Sequence, residues 1–230
     1  MLTETAFESR WSGVEFGRAT RKQRPASCDD AMSSIELIGA SMSFGRNEEI
    51  YGECEPADYL YKVVRGAVRT CKILLDGRRQ IGAFYLPGDI FGLETGGKHA
   101  LSAEAVILSK IVVIKRAAVV SLAARDIDVA HQLWKLTAHE LRRAQNNLLF
   151  LNKTATERVA GFLLEMAERA EFRGEIELPM PRQDIADYLG LTIETVSRMM
   201  TQFENASAIA LPVPKRVVLS NRAMLEQLVA

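Results

Sequence analysis

The segment RQDIADYLGLTIETVSR, residues 182 to 198, contains two short helical patterns separated by a glycine. Apolar side chains recur at helical spacing in its first half, and Gly190 can adopt the left-handed conformation that ends a helix. Thr192 then stands at the N-cap position, where its hydroxyl can accept a hydrogen bond from an exposed amide of the second helix. Two short helices joined by a glycine turn are typical of a helix-turn-helix motif.

The second helix of this motif has two faces of different chemistry. One face is apolar and is expected to be buried; it carries Val196, Met199, Met200 and Phe203. The opposite face carries Glu194, Ser197 and Arg198. In a helix-turn-helix protein this face enters the major groove of DNA, where arginine donates to guanine and glutamate accepts from cytosine. We therefore predict base contacts by these three residues; an exposed ion pair between Glu194 and Arg198 is the alternative.

The composition of the chain excludes several classes of protein. The chain has 230 residues, of which 48% are apolar and 25% charged, enough for one large or two small soluble domains. No apolar stretch is long enough to cross a membrane and the N-terminus lacks a secretion signal, so we expect a cytoplasmic protein without a membrane anchor. The formal net charge is zero, and the acidic residues around the motif nearly balance the basic ones: Asp184, Asp187, Glu194 and Glu204 against Arg182, Arg198, Lys215, Arg216 and Arg222. This balance predicts localised phosphate contacts and no broad basic surface.

The cysteines and histidines do not predict a metal site. Cys28, Cys54 and Cys71 are too few and too scattered for a disulfide framework or an iron–sulfur cluster. The histidines have no metal-binding spacing, which argues against a metal-dependent enzyme built on a β-roll. We therefore expect no metal, no cofactor and no enzymatic activity. Cys28 lies in a polar N-terminal tail, residues 1–33, where we expect it to be exposed and to be the candidate for redox control.

Residues 34–122 contain short β-rich stretches that are interrupted by glycines. Examples are YLYKVVRGAVRTCKILL, QIGAFYL and AVILSKIVVIK. Short alternating strands with regularly placed turn glycines indicate an antiparallel β-roll. The interior of such a roll is either filled by side chains or able to hold a small molecule.

Residues 123–152 have a helical pattern with an apolar seam. The seam residues recur at alternating spacings of three and four, and they are Trp134, Thr137, Leu141, Ala144, Leu148 and Leu151. A seam of about three heptads is typical of a helix that pairs with a second helix, so we predict a homodimer interface. The alternative is a helix that lies on its own β-roll, a contact that Leu133, Leu136 and Phe150 could make. A protein that used this helix only for assembly would leave the exposed Glu194 and Arg198 unexplained.

Residues 153–230 are predicted to form a winged helix-turn-helix domain. TATERVAGFLLEMAERA, residues 154–170, gives an amphipathic helix before the motif. AIALPVPKRVVLS, residues 208–220, predicts two short strands joined by a turn at 212–216. Lys215 and Arg216 at the tip of this wing are candidates for phosphate contacts, with ordinary surface charge as the alternative.

This order of elements resembles the CRP/FNR family of bacterial transcription regulators over nearly the whole chain after residue 33. The most specific stretch is RQDIADYLGLTIETVSR, which resembles the FixK-type branch. The resemblance implies an α+β fold, with an N-terminal antiparallel β-roll like that of cyclic-nucleotide-binding domains, a long dimerisation helix and a C-terminal winged helix-turn-helix. It also implies that a homodimer contacts palindromic TTGA-type DNA sites through Glu194, Ser197 and Arg198. The phosphate contacts that it implies are those of Arg182, Gln183 and Thr192.

Two departures from the family pattern bear on regulation. FNR carries a cysteine cluster for an iron–sulfur centre, whereas only Cys28 precedes the roll here, so oxygen sensing by a cluster is not expected. Cyclic-AMP receptors carry an arginine–serine pair for the phosphate, whereas His99 and Ala100 stand in the corresponding stretch. The resemblance therefore implies a FixK-type activator that needs no effector and contacts RNA polymerase, in part through residues 74–80. The alternative is a regulator gated by haem or a small molecule, with His99 as a candidate haem ligand.

Overall fold

The computed structural model describes residues 39–94, 97–150, 152–169, 175–213 and 215–229. The predicted N-terminal tail, Cys28 and Leu151 lie outside the described residues, as does the side chain of Phe150. The described chain begins with strands and continues with helices and a small sheet. In that chain, no helix is both apolar enough and long enough to cross a membrane.

The N-terminal part consists of two antiparallel sheets. Its strands are β1 (Ala40–Phe44), β2 (Glu49–Tyr51), β3 (Tyr59–Arg65), β4 (Val68–Ile73), β5 (Arg79–Tyr85), β6 (Ile90–Phe91), β7 (Ser102–Ala105) and β8 (Ser109–Lys115). The strand orders are β1-β8-β3-β6 and β2-β7-β4-β5, with every pair antiparallel. Alternate side chains of the two sheets meet in a buried core that includes Val63, Val68, Phe91 and Ile111. The predicted antiparallel β-roll is confirmed.

Glycine is required at the turn between β3 and β4. Gly66 has a φ of 95°, a conformation that L side chains rarely adopt. A Cβ at this position would also collide with Ser109. The hydroxyl of Ser109 accepts from the amide of Ala67 at 3.1 Å and thereby joins this turn to the start of β8.

Two helices follow the roll, α1 (Arg116–Ala123) and α2 (Ile127–Phe150). One side of α2 lies on the roll, because Leu133 packs against a buried cluster that contains Leu60 of β3 and Ile114 of β8. Farther along α2, the buried guanidinium of Arg143 donates to the carbonyl of Phe84 and lies 4.8 Å from the centre of the Tyr85 ring. The helix therefore makes the contact with its own roll that was the alternative to dimerisation, and its other side stays exposed.

The C-terminal part is a winged helix-turn-helix. Its elements are α3 (Ala155–Arg169), β9 (Glu175–Glu177), α4 (Arg182–Leu189), α5 (Ile193–Asn205), β10 (Ala210–Val213), β11 (Arg216–Val218) and α6 (Arg222–Val229). The three strands form an antiparallel sheet of order β10-β11-β9. The inward residues of α3, which include Val159, Phe162 and Leu163, are completely buried. The predicted winged helix-turn-helix is confirmed.

Two details of this part differ from the prediction. Pro212 lies inside β10 and not in the turn, so the turn of the wing is shorter than the predicted 212–216. A proline is tolerated there because β10 is an edge strand of the sheet. Helix α6 was not predicted from the sequence; its buried Leu225 belongs to the same core as α3.

Candidate DNA interface

The helix-turn-helix has the local geometry that its sequence predicts. Gly190 ends α4 with a φ of 64°, in the left-handed region. Thr192 is the N-cap of α5, and its hydroxyl accepts from the amide of Thr195 at 3.3 Å. The apolar face of α5 is buried as predicted, with Val196 inaccessible to solvent and Met200 only 2% exposed. Helix α5 is therefore fixed in rotation about its own axis, with its polar face outward.

The polar face of α5 has the exposure that base contacts need. Glu194 and Arg198 are exposed and Ser197 is half-buried. Within the described part of the chain, Glu194 and Arg198 form no ion pair with each other. The pKa of Glu194 is lowered because its own backbone N–H and, secondly, the hydroxyl of Thr192 stabilise the carboxylate. Glu194 is therefore a hydrogen-bond acceptor at neutral pH.

The residues predicted to contact phosphates differ in the partners that they have in the structure. Arg182 is half-buried at the first residue of α4, and the exposed Gln183 donates to Asp187 Oδ1 at 2.7 Å. In the wing, Arg216 pairs with Glu175 at 3.2 Å, whereas Lys215 Nζ has only the carbonyl of Pro179 at 3.5 Å among the described residues. Lys215 therefore presents the less neutralised charge of the two wing candidates.

Sequence reasoning missed an ion-pair cluster behind the motif, formed by Arg69, Arg79, Glu104, Asp184 and Asp187. Asp184 is only 1% exposed and pairs with Arg69 Nη1 at 2.7 Å and Arg79 Nη2 at 2.5 Å. Asp187 pairs with Arg79 at 2.7 Å, and Glu104 pairs with Arg69 at 2.5 Å. No local signal could reveal these pairs, because 105 to 115 residues separate the two arginines from the two aspartates.

This ion-pair cluster corrects the charge balance that was drawn from the sequence. The carboxylate of Asp184 is buried against the roll and is neutralised there, so it does not oppose DNA phosphates. The carboxylate of Asp187 is also paired with an arginine of the roll. Arg216 of the wing is likewise paired, with Glu175, so the ion pairs reduce the negative and the positive charge of the motif surface alike.

The predicted dimer seam is an exposed apolar stripe on α2. Trp134, Leu141 and Leu148 are 76%, 60% and 64% exposed. Thr137 and Ala144 are exposed on the same side of the helix. Large apolar side chains in a continuous exposed stripe are typical of a surface that another protein covers.

Aromatic side chains, His99 and a carboxylate lie close together inside the roll. His99 is 1% exposed and its ring stacks on Tyr51 with 3.5 Å between ring centres. Its Nδ1 lies 3.4 Å from a carboxylate oxygen of Glu94, a group that would repel a phosphate. Tyr61, Tyr85 and Phe91 fill the adjoining space with stacked or tilted rings. Among the described residues, no three metal-ligating side chains come together in a way that could hold an ion.

Comparison with known proteins gives the family. A family model described as a Crp-like helix-turn-helix domain matches residues 157–228, and one described as a cyclic nucleotide-binding domain matches residues 41–126. The nitrogen fixation regulation protein FixK of Azorhizobium caulinodans is 46% identical over 227 residues, covering 96% of this chain and 89% of the relative. FixK of Rhizobium meliloti is 42% identical over 182 residues, covering 78% and 81%.

A solved structure agrees with these relatives. FixK2 from Bradyrhizobium japonicum has 51% sequence identity and a TM-score of 0.81, over 84% of this chain and 98% of that chain. FixK proteins therefore resemble this chain both in sequence and in the arrangement of roll, long helix and winged helix-turn-helix. The chain belongs to the CRP/FNR family, in its FixK-type branch, and is a DNA-binding transcription regulator.

Proposed function

We propose that the protein activates transcription as a homodimer that binds palindromic TTGA-type DNA sites without an obligatory effector. The observation that carries this proposal is the polar face of α5, where Glu194 and Arg198 are exposed while the opposite face is buried. Arg198 donates to O6 and N7 of a guanine, and Glu194 accepts from N4 of a cytosine. Ser197 lies between them and is small enough to admit a thymine methyl group.

The phosphate contacts in this proposal surround that face. Arg182, Gln183 and Thr192 lie at the beginnings of α4 and α5, where exposed amides and the helix dipole favour an anion. Lys215 contributes a phosphate contact from the wing. Arg216 contributes one only if its guanidinium leaves Glu175 and binds a phosphate instead.

The homodimer in this proposal forms through the exposed stripe on α2. A palindrome presents its half-sites about one helical turn apart, roughly 34 Å, so two recognition helices must be held at that separation. Residues 34–122 then act as the roll, 123–152 as the dimerisation helix and 153–230 as the DNA-binding domain. Leu141 and Leu148 contribute most to the interface, because leucine at such positions buries the largest aliphatic surface of the seam.

Effector independence is supported by the chemistry of the roll interior. His99 stands where the resemblance places a phosphate-binding arginine, and it faces Glu94 and Tyr51 inside the roll. The aromatic side chains around it already provide a packed core. Activation would require contacts with RNA polymerase in the cytoplasm, and the turn at 74–80 offers an exposed Leu75 for such a contact.

The test is binding of the purified, effector-free protein to a labelled TTGA-type palindrome, followed by fluorescence anisotropy. We expect tight binding to the palindrome, weaker binding when one half-site is scrambled, and no change when cyclic AMP is added. Mass photometry of the complex should give two chains per duplex. Equal affinity for the intact and the scrambled palindrome would contradict the proposal.

A second candidate function is a regulator gated by a ligand inside the roll. One observation favours it: the hydroxyl of Tyr51 and both ring nitrogens of His99 are buried without a hydrogen-bond partner in the described part of the chain. A coloured protein, or a small molecule recovered after denaturation, would favour this candidate, especially if its removal abolished DNA binding.

A further inference from the structure

The helix-turn-helix is joined to the roll by charged side chains that are largely removed from water. Arg69, on β4, is 5% exposed, and Asp184, in the first turn of α4, is 1% exposed. Arg79, at the start of β5, donates to both Asp184 and Asp187, which lie one helical turn apart. Gln80 adds a hydrogen bond of 2.9 Å to the carbonyl of Asp187. Buried charges of this kind are tolerated only when they are paired, so the ion-pair cluster resists separation of α4 from the sheet.

Fixing α4 also fixes the base-contacting helix α5. The two helices are separated only by the turn at Gly190 and share one buried core, to which Ile185 and Leu189 of α4 and Val196 and Met200 of α5 belong. A rigid movement of one helix therefore carries the other helix with it.

Strand β5, at the edge of the same sheet, is also hydrogen-bonded to the dimer helix. Arg143 of α2 donates to the carbonyl of Phe84 in β5, and Asn147 of α2 donates to the carbonyl of Gly82 at 3.3 Å. Tyr188 of α4 donates to Asn147 at 2.7 Å. An uninterrupted path of contacts thus runs from the exposed stripe on α2, through β5, to the polar face of α5.

We propose that Arg69 and Arg79 are positioning residues for DNA binding: through Asp184 and Asp187 they hold the helix-turn-helix at the position on the roll that a palindrome requires. Apolar contacts at this interface, such as Phe84 against Phe162, hold the two parts together but do not fix the angle between them. Paired guanidinium and carboxylate groups define both distance and angle. The ion-pair cluster therefore does within the chain what a bound effector would otherwise have to do. This inference rests on the proposed function, because it concerns the separation of two recognition helices.

Arg79 is the residue that tests this inference. Its replacement by alanine removes the pairs to Asp187 but leaves Asp184 paired with Arg69, so the fully buried carboxylate keeps a partner. The matched control is Lys72→Ala, since Lys72 is an exposed cation of the adjacent strand whose 2.6 Å pair with Glu53 stays within the roll. Both substitutions remove one positive charge from the same strand pair.

The first measurement compares the affinity for a palindrome with the affinity for a duplex that carries a single half-site. If Arg79→Ala leaves about a tenth of the dimers in the binding geometry, the palindrome affinity falls roughly tenfold. The half-site affinity should change less than about twofold, because one helix-turn-helix binds it without reference to the other. Lys72→Ala should behave as the wild type on both duplexes. If Arg79→Ala lost the same affinity for both duplexes, the inference would be overturned, since an unfolded fraction of the protein lowers both affinities alike. An unchanged affinity for the palindrome would also overturn it.

The second measurement needs no DNA and separates the inference from the proposed function. A spin label at Asn205→Cys, in full-length chains without the native cysteines, reports the distance between the two α5 helices of a dimer. Wild type and Lys72→Ala should give a narrow distance distribution and Arg79→Ala a broad or displaced one. An unchanged distribution in Arg79→Ala overturns the inference even if the palindrome is bound. A wild type that binds no palindrome but shows the expected distances refutes only the proposed function.

Discussion

Replacement of Arg198 by alanine tests the contact between α5 and DNA bases. The guanidinium is exposed and no described residue accepts a hydrogen bond from it, so its removal should leave the thermal unfolding of the free protein unchanged. On DNA, a bidentate arginine–guanine contact contributes about 1–3 kcal/mol, and a dimer loses two of them, about 2–6 kcal/mol in all. Because about 1.4 kcal/mol corresponds to tenfold, Kd should rise by roughly 30-fold to roughly 20,000-fold.

The assay is an anisotropy titration of the palindrome and of its single-base variants at two salt concentrations. Lys215→Ala is the matched control, because this substitution removes one positive charge from the wing without altering the base-contacting face. It should weaken binding to every sequence alike and reduce the salt slope by about 0.9 for each phosphate that Lys215 no longer neutralises. Glu194→Ala should change total affinity little but relax discrimination at its cytosine.

The result that would refute this reasoning is an Arg198→Ala protein that cannot be distinguished from Lys215→Ala. If both had the same sequence preference and the same salt slope, Arg198 would be a phosphate contact and α5 would not enter the groove with this face. A large fall in the melting temperature of free Arg198→Ala would also contradict the premise that the side chain has no structural role.

Three further predictions concern the dimer, the thiols and the motif turn. Leu141→Glu with Leu148→Glu should give monomers with weak DNA binding in sedimentation experiments, because each buried leucine contributes about 1.5–3 kcal/mol; a dimeric double variant would refute the seam. Burial raises the pKa of the Cys71 thiol to about 11, so its thiolate forms only at strongly alkaline pH. Alkylation at pH 8 should therefore modify the exposed Cys54 and spare Cys71 in mass spectra of the folded protein, and labelling of both at equal rates would contradict this burial. Gly190→Ala should cost about 1–2 kcal/mol of stability in calorimetry, and Gly190→Asn less, since the cost arises from the left-handed backbone; equal costs would point to a steric cause.

The elements that the sequence predicts well are those with strong local signals. The first helix of the motif, Arg182–Leu189, lies where the first of the two helical patterns predicts it, because Gly190 marks its end and the Thr192 cap marks the beginning of the next helix. The long helix was predicted within residues 123–152 and is observed over Ile127–Phe150. Its periodic apolar seam identifies it, while the residues at its ends carry no such signal.

The parts that the sequence does not predict depend on contacts between distant segments. An aspartate in the first turn of a helix is ordinarily explained by the helix dipole, so Asp184 gives no sign of being buried. Its arginine partners lie in strands more than 100 residues earlier, and their positions follow only from the packing of the roll on α4. The polar face of α5 is identifiable because it lies on one helix, whereas the ion pairs that join the motif to the roll connect two domains.

The burial of Asp184 limits which DNA-binding domains can be exchanged between this protein and its relatives. A helix-turn-helix that carried this aspartate onto a roll without counterparts of Arg69 and Arg79 would retain an unpaired buried carboxylate. Breaking such a pair by removing one side typically costs about 3–5 kcal/mol, a large share of the stability of an ordinary domain. Shuffling of DNA-binding domains among rolls would therefore tend to yield unstable chimaeras unless the two arginines and the aspartate were inherited together. Specificity for a new operator is accordingly easier to acquire by substitution on α5 than by exchange of the whole domain.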